Sequence, residues 1–102
     1  MPNKFYEKIY AKLKEVPKGK ITTYKILAKA INSKAYRAIG TALKKNPYSP
    51  IVPCHRVVRS NKNVGGFAKS SKKKIEMLKK EGIKIKNNKV QNFEKVLYKF
   101  NI

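Results

Sequence analysis

The sequence contains almost no acidic residues. It has no aspartate and only five glutamates, against 26 lysines and arginines, so the formal net charge is +21 at pH 7. Such a charge neutralises phosphates and steers encounters over long range, which indicates a polyanionic partner: nucleic acid, ribosomal RNA or an anionic membrane surface. A lysine-rich face that only confers solubility would be accompanied by more acidic residues. The composition therefore favours a nucleic acid.

Cysteine and histidine are equally scarce. One cysteine excludes an internal disulfide, and one cysteine with one histidine cannot supply the four ligands of a structural zinc site. No metal or cofactor is expected. No apolar run approaches the roughly 18 to 20 residues of a membrane span, and residues 1–7 contain no apolar signal core. We expect a monomer in the reducing cytoplasm, associated with the nucleoid through DNA.

Hydrophobic residues make up 41% of the 102 residues, which is enough for one small domain over 1–102. Helical periodicity predicts a first helix over 3–15. A second helix is predicted after Thr22 or Thr23, either of which could cap it, and a third over 35–45. These last two helices are short and joined by a tight turn.

Two short helices with a tight turn predict a helix-turn-helix over about 22–45. The alternative is a helical hairpin packed only for stability, but the charge favours the DNA-binding form. Small side chains on the second of the two helices let its backbone approach a groove, while Arg37 projects from it. The candidate DNA-contacting residues are Lys34, Ala35, Arg37, Ala38 and Lys45.

The rest of the chain predicts a loop, two hairpins and two helices. Three prolines between residues 46 and 53 exclude a helix there. The fold class expected is mainly α with short β-hairpins, a single domain resembling a winged helix-turn-helix. The predicted segments are an active-site loop over 46–58, a β-hairpin or wing over 58–68, a helix over 70–81 capped by Ser70 or Ser71, a second short hairpin over 83–90 and a last helix over 92–100.

Cys54 is the candidate nucleophile. A lone cysteine is often only a small buried hydrophobe, but this one follows Pro53 and precedes His55 in a cationic protein, which favours the reactive thiolate. Adjacent side chains do not face each other, so His55 needs a sharp turn or a bridging water to reach the sulfur. As a base it also needs an acceptor on its second nitrogen. Glu81, beside Gly82, fits that position, although it could be a solvated residue at a helix end.

The segment Pro53-Cys54-His55-Arg56-Val57-Val58 resembles the active-site signature of the O6-alkylguanine-DNA alkyltransferases. Further blocks resemble that family in the same order and at nearly the same spacing, so that the resemblance covers roughly residues 5 to 85. These blocks are Tyr36-Arg37-Ala38-Ile39-Gly40, Lys45-Asn46-Pro47, Val64-Gly65-Gly66-Phe67 and Glu81-Gly82.

The resemblance implies direct reversal of DNA damage by a methylated-DNA–protein-cysteine S-methyltransferase. The substrate would be double-stranded DNA carrying O6-alkylguanine, with O4-alkylthymine as a further candidate. The damaged nucleotide would be flipped out of the duplex because its reactive atom is inaccessible in a stacked pair. Cys54 would then attack the alkyl carbon once and stay alkylated. In this family the helix-turn-helix engages the minor groove.

The resemblance also implies residue roles. Arg37 would enter the duplex in place of the extruded base, and Tyr24 would assist flipping and donate a hydrogen bond to the guanine ring nitrogen. Asn46 would tie the recognition helix to the active-site loop. Glu81, His55 and a water would deprotonate Cys54. The Val57 carbonyl would accept from the exocyclic amine, and the loop at Phe67 and Ala68 would meet O6 and the alkyl group. The substrate pocket would comprise Pro53, Val57, Phe67 and Ala68.

The sequence departs from the family in two respects. Ala68 stands where Ser or Gly is common, so a side-chain hydroxyl is missing there. Many members carry an N-terminal domain, and we expect this chain to represent the catalytic half alone. Two alternative functions follow: a protein that flips alkylated bases without repairing them, whose known relatives lack the cysteine, and a basic structural nucleic-acid-binding protein with an incidental cysteine.

Overall fold

The computed structural model describes residues 4–45, 52–65 and 71–100. Within these ranges it contains five α-helices, one 3₁₀ helix and four two-residue strands. In chain order they are α1 (Lys4–Leu13), β1 (Thr22–Thr23), α2 (Tyr24–Ala30), α3 (Tyr36–Lys44), the 3₁₀ helix (Cys54–Arg56), β2 (Val57–Val58), α4 (Ser71–Lys80), β3 (Ile85–Lys86), β4 (Lys89–Val90) and α5 (Phe93–Val96).

The three N-terminal helices pack against one another, as their apolar stripes predict. Helices α2 and α3, separated by residues 31–35, form the predicted helix-turn-helix-like pair, and α1 contacts both of them. Their inward faces fill one hydrophobic cluster, because residues three and four apart lie on the same side of a helix. Fully buried members include Ile9, Leu13, Leu27, Ile39 and Ala42.

Thr22 and Thr23 are both buried, yet both hydroxyl groups are hydrogen-bonded. The Thr23 hydroxyl oxygen accepts from the backbone N–H of Ile26 at 3.0 Å, so Thr23 is the N-cap of α2. Thr22 donates to the backbone oxygen of Tyr98 at 3.0 Å. The sequence left either residue open as the cap, and the structure selects Thr23. A cap of this kind stabilises a helix by about 1 kcal/mol.

Val58, the first residue of the wing predicted over 58–68, forms a parallel strand with Val57 instead of a hairpin strand. The two valines pair with β1, in the register Thr22 with Val57 and Thr23 with Val58. Residues 66–68 of the predicted wing lie outside the described residues. Both valines are fully buried, whereas a solvent-facing hairpin would expose alternate residues. The predicted turn after them does form, since the Arg59 N–H donates to the oxygen of Asn63 at 2.9 Å.

Helix α4 ends in a left-handed residue at Gly82, whose φ is +92°. The Gly82 N–H donates to the Lys79 oxygen and the Ile83 N–H to the Leu78 oxygen, each at 3.0 Å. This paired arrangement is a common way to terminate a helix, and it favours glycine because no Cβ is present. Glu81 is therefore placed at a fixed position directly after α4. Ser70, one of the two predicted caps, lies outside the described residues.

The second predicted hairpin is present. Strands β3 and β4 pair antiparallel, with Ile85 opposite Val90, and the two-residue turn Asn87-Asn88 has positive φ at both positions, as such turns require. The last helix was predicted over 92–100 but ends at Val96, so the prediction is wrong for the residues after Val96.

Helix α5 has only four residues because the chain after it pairs with the segment before β1. Leu97 bridges Ile21 in parallel, and the Tyr98 N–H donates to the Ile21 oxygen at 2.7 Å. A second hydrophobic cluster lies here, formed by Ile21, Val58, Leu78, Ile83 and Phe93 among others. Among the described helices, none has the length and apolar character needed to cross a membrane.

Candidate active site

Cys54 begins the 3₁₀ helix that connects the segment Val52–Pro53 to β2. Its backbone N–H donates to the Val52 oxygen at 2.9 Å, and the Arg56 N–H donates to the Pro53 oxygen at 3.0 Å. Only 6% of Cys54 is exposed, and it belongs to the main hydrophobic cluster together with Val57. The tight turn thus holds the thiol at the inner surface of the domain.

His55 lies against Glu81, as the sequence analysis expected. Its Nε2 is 3.1 Å from Oε2 of Glu81, and its side chain is 3% exposed. A proton on Nε2 shared with this carboxylate leaves the lone pair on Nδ1. Both ring nitrogens are buried, and within the described part of the chain neither makes a well-aligned hydrogen bond. Nε2 differs from Nδ1 in lying within 3.1 Å of the carboxylate. Nδ1 is therefore the nitrogen that can accept a proton.

Arg56 holds Glu81 from the other side. Its Nε donates to Oε1 at 2.9 Å and its Nη2 to Oε2 at 2.5 Å, a bidentate pair, while Nη1 donates to the Val16 oxygen at 2.8 Å. This planar geometry requires a guanidinium. From the sequence, Arg56 was expected only to favour the Cys54 thiolate by its charge, and its pairing with Glu81 was not predicted.

The charges of this group set its protonation states. Burial acts to raise the pKa of Glu81, but hydrogen bonds from Arg56 and His55 outweigh it and hold that pKa below its ordinary value. For His55, burial lowers the pKa, Glu81 raises it, and Arg56 and Lys74 lower it further, so the net shift is downward. At neutral pH the site therefore combines an ionised carboxylate with a neutral imidazole, the form of histidine that acts as a base.

Tyr24 is the first residue of α2 and packs against the cluster that contains Cys54. The β1–β2 pairing brings this start of α2 to the Cys54 segment. Burial raises the pKa of Tyr24, with a lowering contribution from Arg59 and a raising one from the charge of Cys54. The phenol consequently stays protonated and can donate a hydrogen bond.

Lys74 is a buried cation that the sequence analysis did not identify. It is 1% exposed, and its Nζ donates to the backbone oxygen of Val57 at 2.6 Å. Burial lowers its pKa to about 8, the charge of Cys54 raises it and Arg59 lowers it. Lys74, Leu78 and Glu81 follow helical spacing, so the buried stripe of α4 could have indicated both charged residues.

The residues predicted to meet DNA lie on or beside α3. Arg37 is exposed, as are Lys34, Ala35 and Lys45, while Ala38 is half-buried. A Cβ added at Gly40 would meet nothing within 4 Å, so packing inside the domain does not require glycine there.

The predicted pocket residues Pro53 and Val57 are buried beside Cys54. Asn46, Phe67 and Ala68 lie outside the described residues.

No group of three or more His, Cys, Asp or Glu side chains that could hold a metal occurs among residues 4–45, 52–65 and 71–100.

The fold and the site define a helix-turn-helix-like domain with a buried thiol beside a histidine–glutamate pair. Residues 4–83 match a family model described as the DNA binding domain of 6-O-methylguanine DNA methyltransferase. The chain belongs to this family.

Similar proteins extend the match. A methylated-DNA–protein-cysteine methyltransferase of Thermococcus sibiricus is 47% identical over 81 residues, which are 78% of this chain and 45% of that protein. The O6-methylguanine-DNA methyltransferase structure from Pyrococcus kodakaraensis superposes with a TM-score of 0.74 and 41% identity, covering 79% of this chain and 47% of the other. The chain thus spans about half the length of these relatives.

A different neighbour matches along its whole length. The structure of S. pombe Atl1 in complex with damaged DNA containing O6-carboxymethylguanine has a TM-score of 0.82 and 27% identity. The superposition covers 97% of this chain and 99% of Atl1. The fold of this chain is therefore shared with proteins of different length.

The single histidine makes the His55–Glu81 pair directly testable by NMR. We expect the His55 ring signals to titrate with a midpoint below the value of about 6.5 of an exposed histidine, because burial disfavours the imidazolium. Glu81→Gln should lower the midpoint further, since the amide cannot stabilise the charged ring. Glu76→Gln, at an exposed position of α4, should leave it unchanged. An unchanged or raised midpoint in Glu81→Gln would contradict the assigned contact.

Proposed function

We propose that this protein repairs DNA by transferring an alkyl group from O6-alkylguanine in duplex DNA to Cys54, once per molecule. The observation that carries the proposal is the 3.1 Å contact between His55 and Glu81 immediately beside the buried thiol. A structural cysteine needs no such pair next to it. Family membership supports the reaction type, and the net charge of +21 supports a DNA partner.

The thiol is activated by a proton relay. Nδ1 of His55 accepts a proton from a bridging water, which takes the thiol proton of Cys54, leaving a thiolate. Glu81 stabilises the resulting imidazolium, and Arg56 keeps the carboxylate ionised and oriented. The positive charge of Lys74 also stabilises the negative charge of the thiolate. The base and the nucleophile thus satisfy the general requirement of an activated cysteine.

Alkyl transfer is a single displacement. The sulfur of Cys54 forms a bond to the alkyl carbon while the bond from that carbon to O6 breaks, and the electron pair remains on guanine. Tyr24 donates its phenolic hydrogen bond to the guanine ring nitrogen, which offsets the negative charge of the departing base. The product is a thioether with no easy leaving group, so the protein acts once.

Other residues bring the base to the thiol. Arg37, exposed on α3, enters the duplex where the damaged base leaves it. The Val57 carbonyl accepts from the exocyclic amine with the lone pair that Lys74 does not use. The roles proposed for Asn46, Phe67 and Ala68 rest on the family resemblance alone, since these residues lie outside the described ranges.

A second candidate function is recognition of alkylated bases without repair. It is favoured by the full-length superposition with Atl1, whose structure contains DNA with O6-carboxymethylguanine. Cys54, with a proton acceptor beside it, favours repair instead. In the third alternative, a structural nucleic-acid-binding protein, the joint placement of Cys54, His55, Glu81 and Tyr24 would have no chemical purpose.

The decisive measurement is the intact mass of the protein after incubation with duplex DNA carrying O6-methylguanine. We expect one methyl group per molecule, located on Cys54 by peptide mapping, and none in Cys54→Ala. Preferential binding of the damaged DNA without any mass change in the wild type would support the recognition protein. Equal binding of damaged and undamaged DNA without a mass change would support the structural nucleic-acid-binding protein.

Arg37→Ala should separate flipping from chemistry. We expect repair of duplex DNA to fall on the order of tenfold or more, because extrusion of a base costs a few kcal/mol and this variant cannot fill the gap. Alkylation of Cys54 by the free alkylguanine base should fall much less. The two rates are compared in single-turnover experiments, and an equal loss on both substrates would contradict the flipping role.

Gly40→Ala should stabilise the protein and weaken DNA binding. Glycine within a helix costs about 1 kcal/mol relative to alanine, and the added methyl group meets no atom of the domain. The melting temperature should therefore rise. The methyl group would hold the α3 backbone away from the groove, so duplex affinity should fall while alkylation by the free base is unchanged. Unchanged duplex affinity would place Gly40 outside the DNA interface.

A further inference from the structure

Arg59 follows β2 directly and lies at the edge of the site. Its backbone N–H donates to the Asn63 oxygen at 2.9 Å and its own oxygen accepts from the Lys62 N–H at 3.0 Å. Its side chain extends over Gly65, where a Cβ would meet both Cγ and Nε of Arg59 at 3.4 Å. Gly65 also has a φ of +76°, which favours glycine. The turn and Gly65 together orient an otherwise long and mobile side chain.

The guanidinium of Arg59 has no ion pair or side-chain hydrogen bond with any other described residue. Its chain neighbour Arg56 has every nitrogen hydrogen-bonded, to Glu81 and to Val16. Glu81, the glutamate of the site, is thus already bound by Arg56 and His55. Arg59 is exposed and presents an unused planar set of donors.

Arg59 is also within electrostatic range of the active-site groups. Burial is the main influence on the pKa values of Tyr24 and Lys74, and the charge of Arg59 lowers both of them. Both residues respond to the charge of Cys54 as well. Two cations near each other repel, and an anion between or beside them relieves that repulsion. The Cys54 thiolate can act as the counter-charge of Lys74. Arg59 then has no counter-charge among the described residues.

We propose that Arg59 binds the phosphodiester that flanks the nucleotide extruded into the site. This inference rests on the proposed function. A nucleotide whose base reaches Cys54 must keep its own phosphates at the surface of the domain. Arg59 is an exposed cation directly after Val58, which pairs with Thr23 at the start of α2. A guanidinium can donate two parallel hydrogen bonds to phosphate oxygens. Arg59 would therefore fix the sugar–phosphate of the flipped nucleotide while Arg37 fills the gap in the duplex.

The test is a double-mutant cycle between protein and DNA. Binding of O6-methylguanine duplexes is measured in a Cys54→Ala background, so that no alkylation occurs. One phosphate is replaced by a neutral methylphosphonate, placed 5′ to the lesion, 3′ to it, or five nucleotides away. At one of the two flanking positions the neutral linkage should weaken binding on the order of tenfold when Arg59 is present, and hardly at all in Arg59→Ala.

Matched variants isolate the contact. The coupling is the part of the affinity loss from the neutral linkage that depends on Arg59. Lys8→Ala removes one exposed charge from α1 and should leave this coupling unchanged. Arg59→Met keeps the apolar stem over Gly65 and should abolish the coupling as Arg59→Ala does, and melting curves establish that both variants are folded. Arg59→Ala should also reduce the slope of log affinity against log salt by about one. Equal losses from the neutral linkage with and without Arg59, at both flanking positions, would overturn the inference.

The proposed function is tested separately from this contact. In the protein with its natural Cys54 and Arg59, alkylation is measured with the free alkylguanine base, which has no phosphate, and with duplex DNA. Wild-type alkylation by duplex DNA together with an absent coupling would overturn the Arg59 inference alone. Failure of the wild type to be alkylated by either substrate would overturn the proposed function instead.

Discussion

The carboxylate of Glu81 is the contact on which the site depends. Through Arg56 it connects the end of α4 to the 3₁₀ helix and, by the Arg56 bond to the Val16 oxygen, to the segment after α1. Through His55 it orients the only imidazole of the chain. Removal of this carboxylate would leave a guanidinium and a ring nitrogen without their acceptor in a largely dry environment, which is costly. One side chain thus couples packing to protonation state.

Two backbone features place the interacting groups. The parallel pairing of Thr22–Thr23 with Val57–Val58 joins segments distant in the chain, and it sets Tyr24 and Cys54 on the same side of the domain. The left-handed Gly82 ends α4, so that Glu81 occupies a fixed position after the last turn. Neither feature involves many residues, but each is supported by backbone hydrogen bonds that a small shift would break.

The basic residues of the site differ in environment despite their similar charge. Arg56 is fully hydrogen-bonded, Lys74 is buried against the Val57 carbonyl, and Arg59 is exposed and has no ion pair with another described residue. In a protein with five acidic residues, such differences cannot arise from pairing with many carboxylates. They arise from burial and from which carbonyl oxygens are within reach. The excess charge therefore acts at long range, while Arg56, Lys74 and Arg59 occupy three different local environments.

Periodicity, turn residues and an ordered set of motifs are local signals, and from them the sequence predicted the helices except the end of α5, the β3–β4 hairpin, and a shared site for Cys54, His55 and Glu81. It left Thr22 and Thr23 as alternative caps of α2, and the hydrogen bond to Ile26 selects Thr23. The pairing partner of Val57–Val58 and the end of α5 were decided by tertiary structure, since both depend on strand contacts with residues 21–23. The same holds for Arg56, Lys74 and Arg59. Many basic residues surround each of them in the sequence. Only burial and distances in the fold distinguish the hydrogen-bonded Arg56, the desolvated Lys74 and the exposed Arg59.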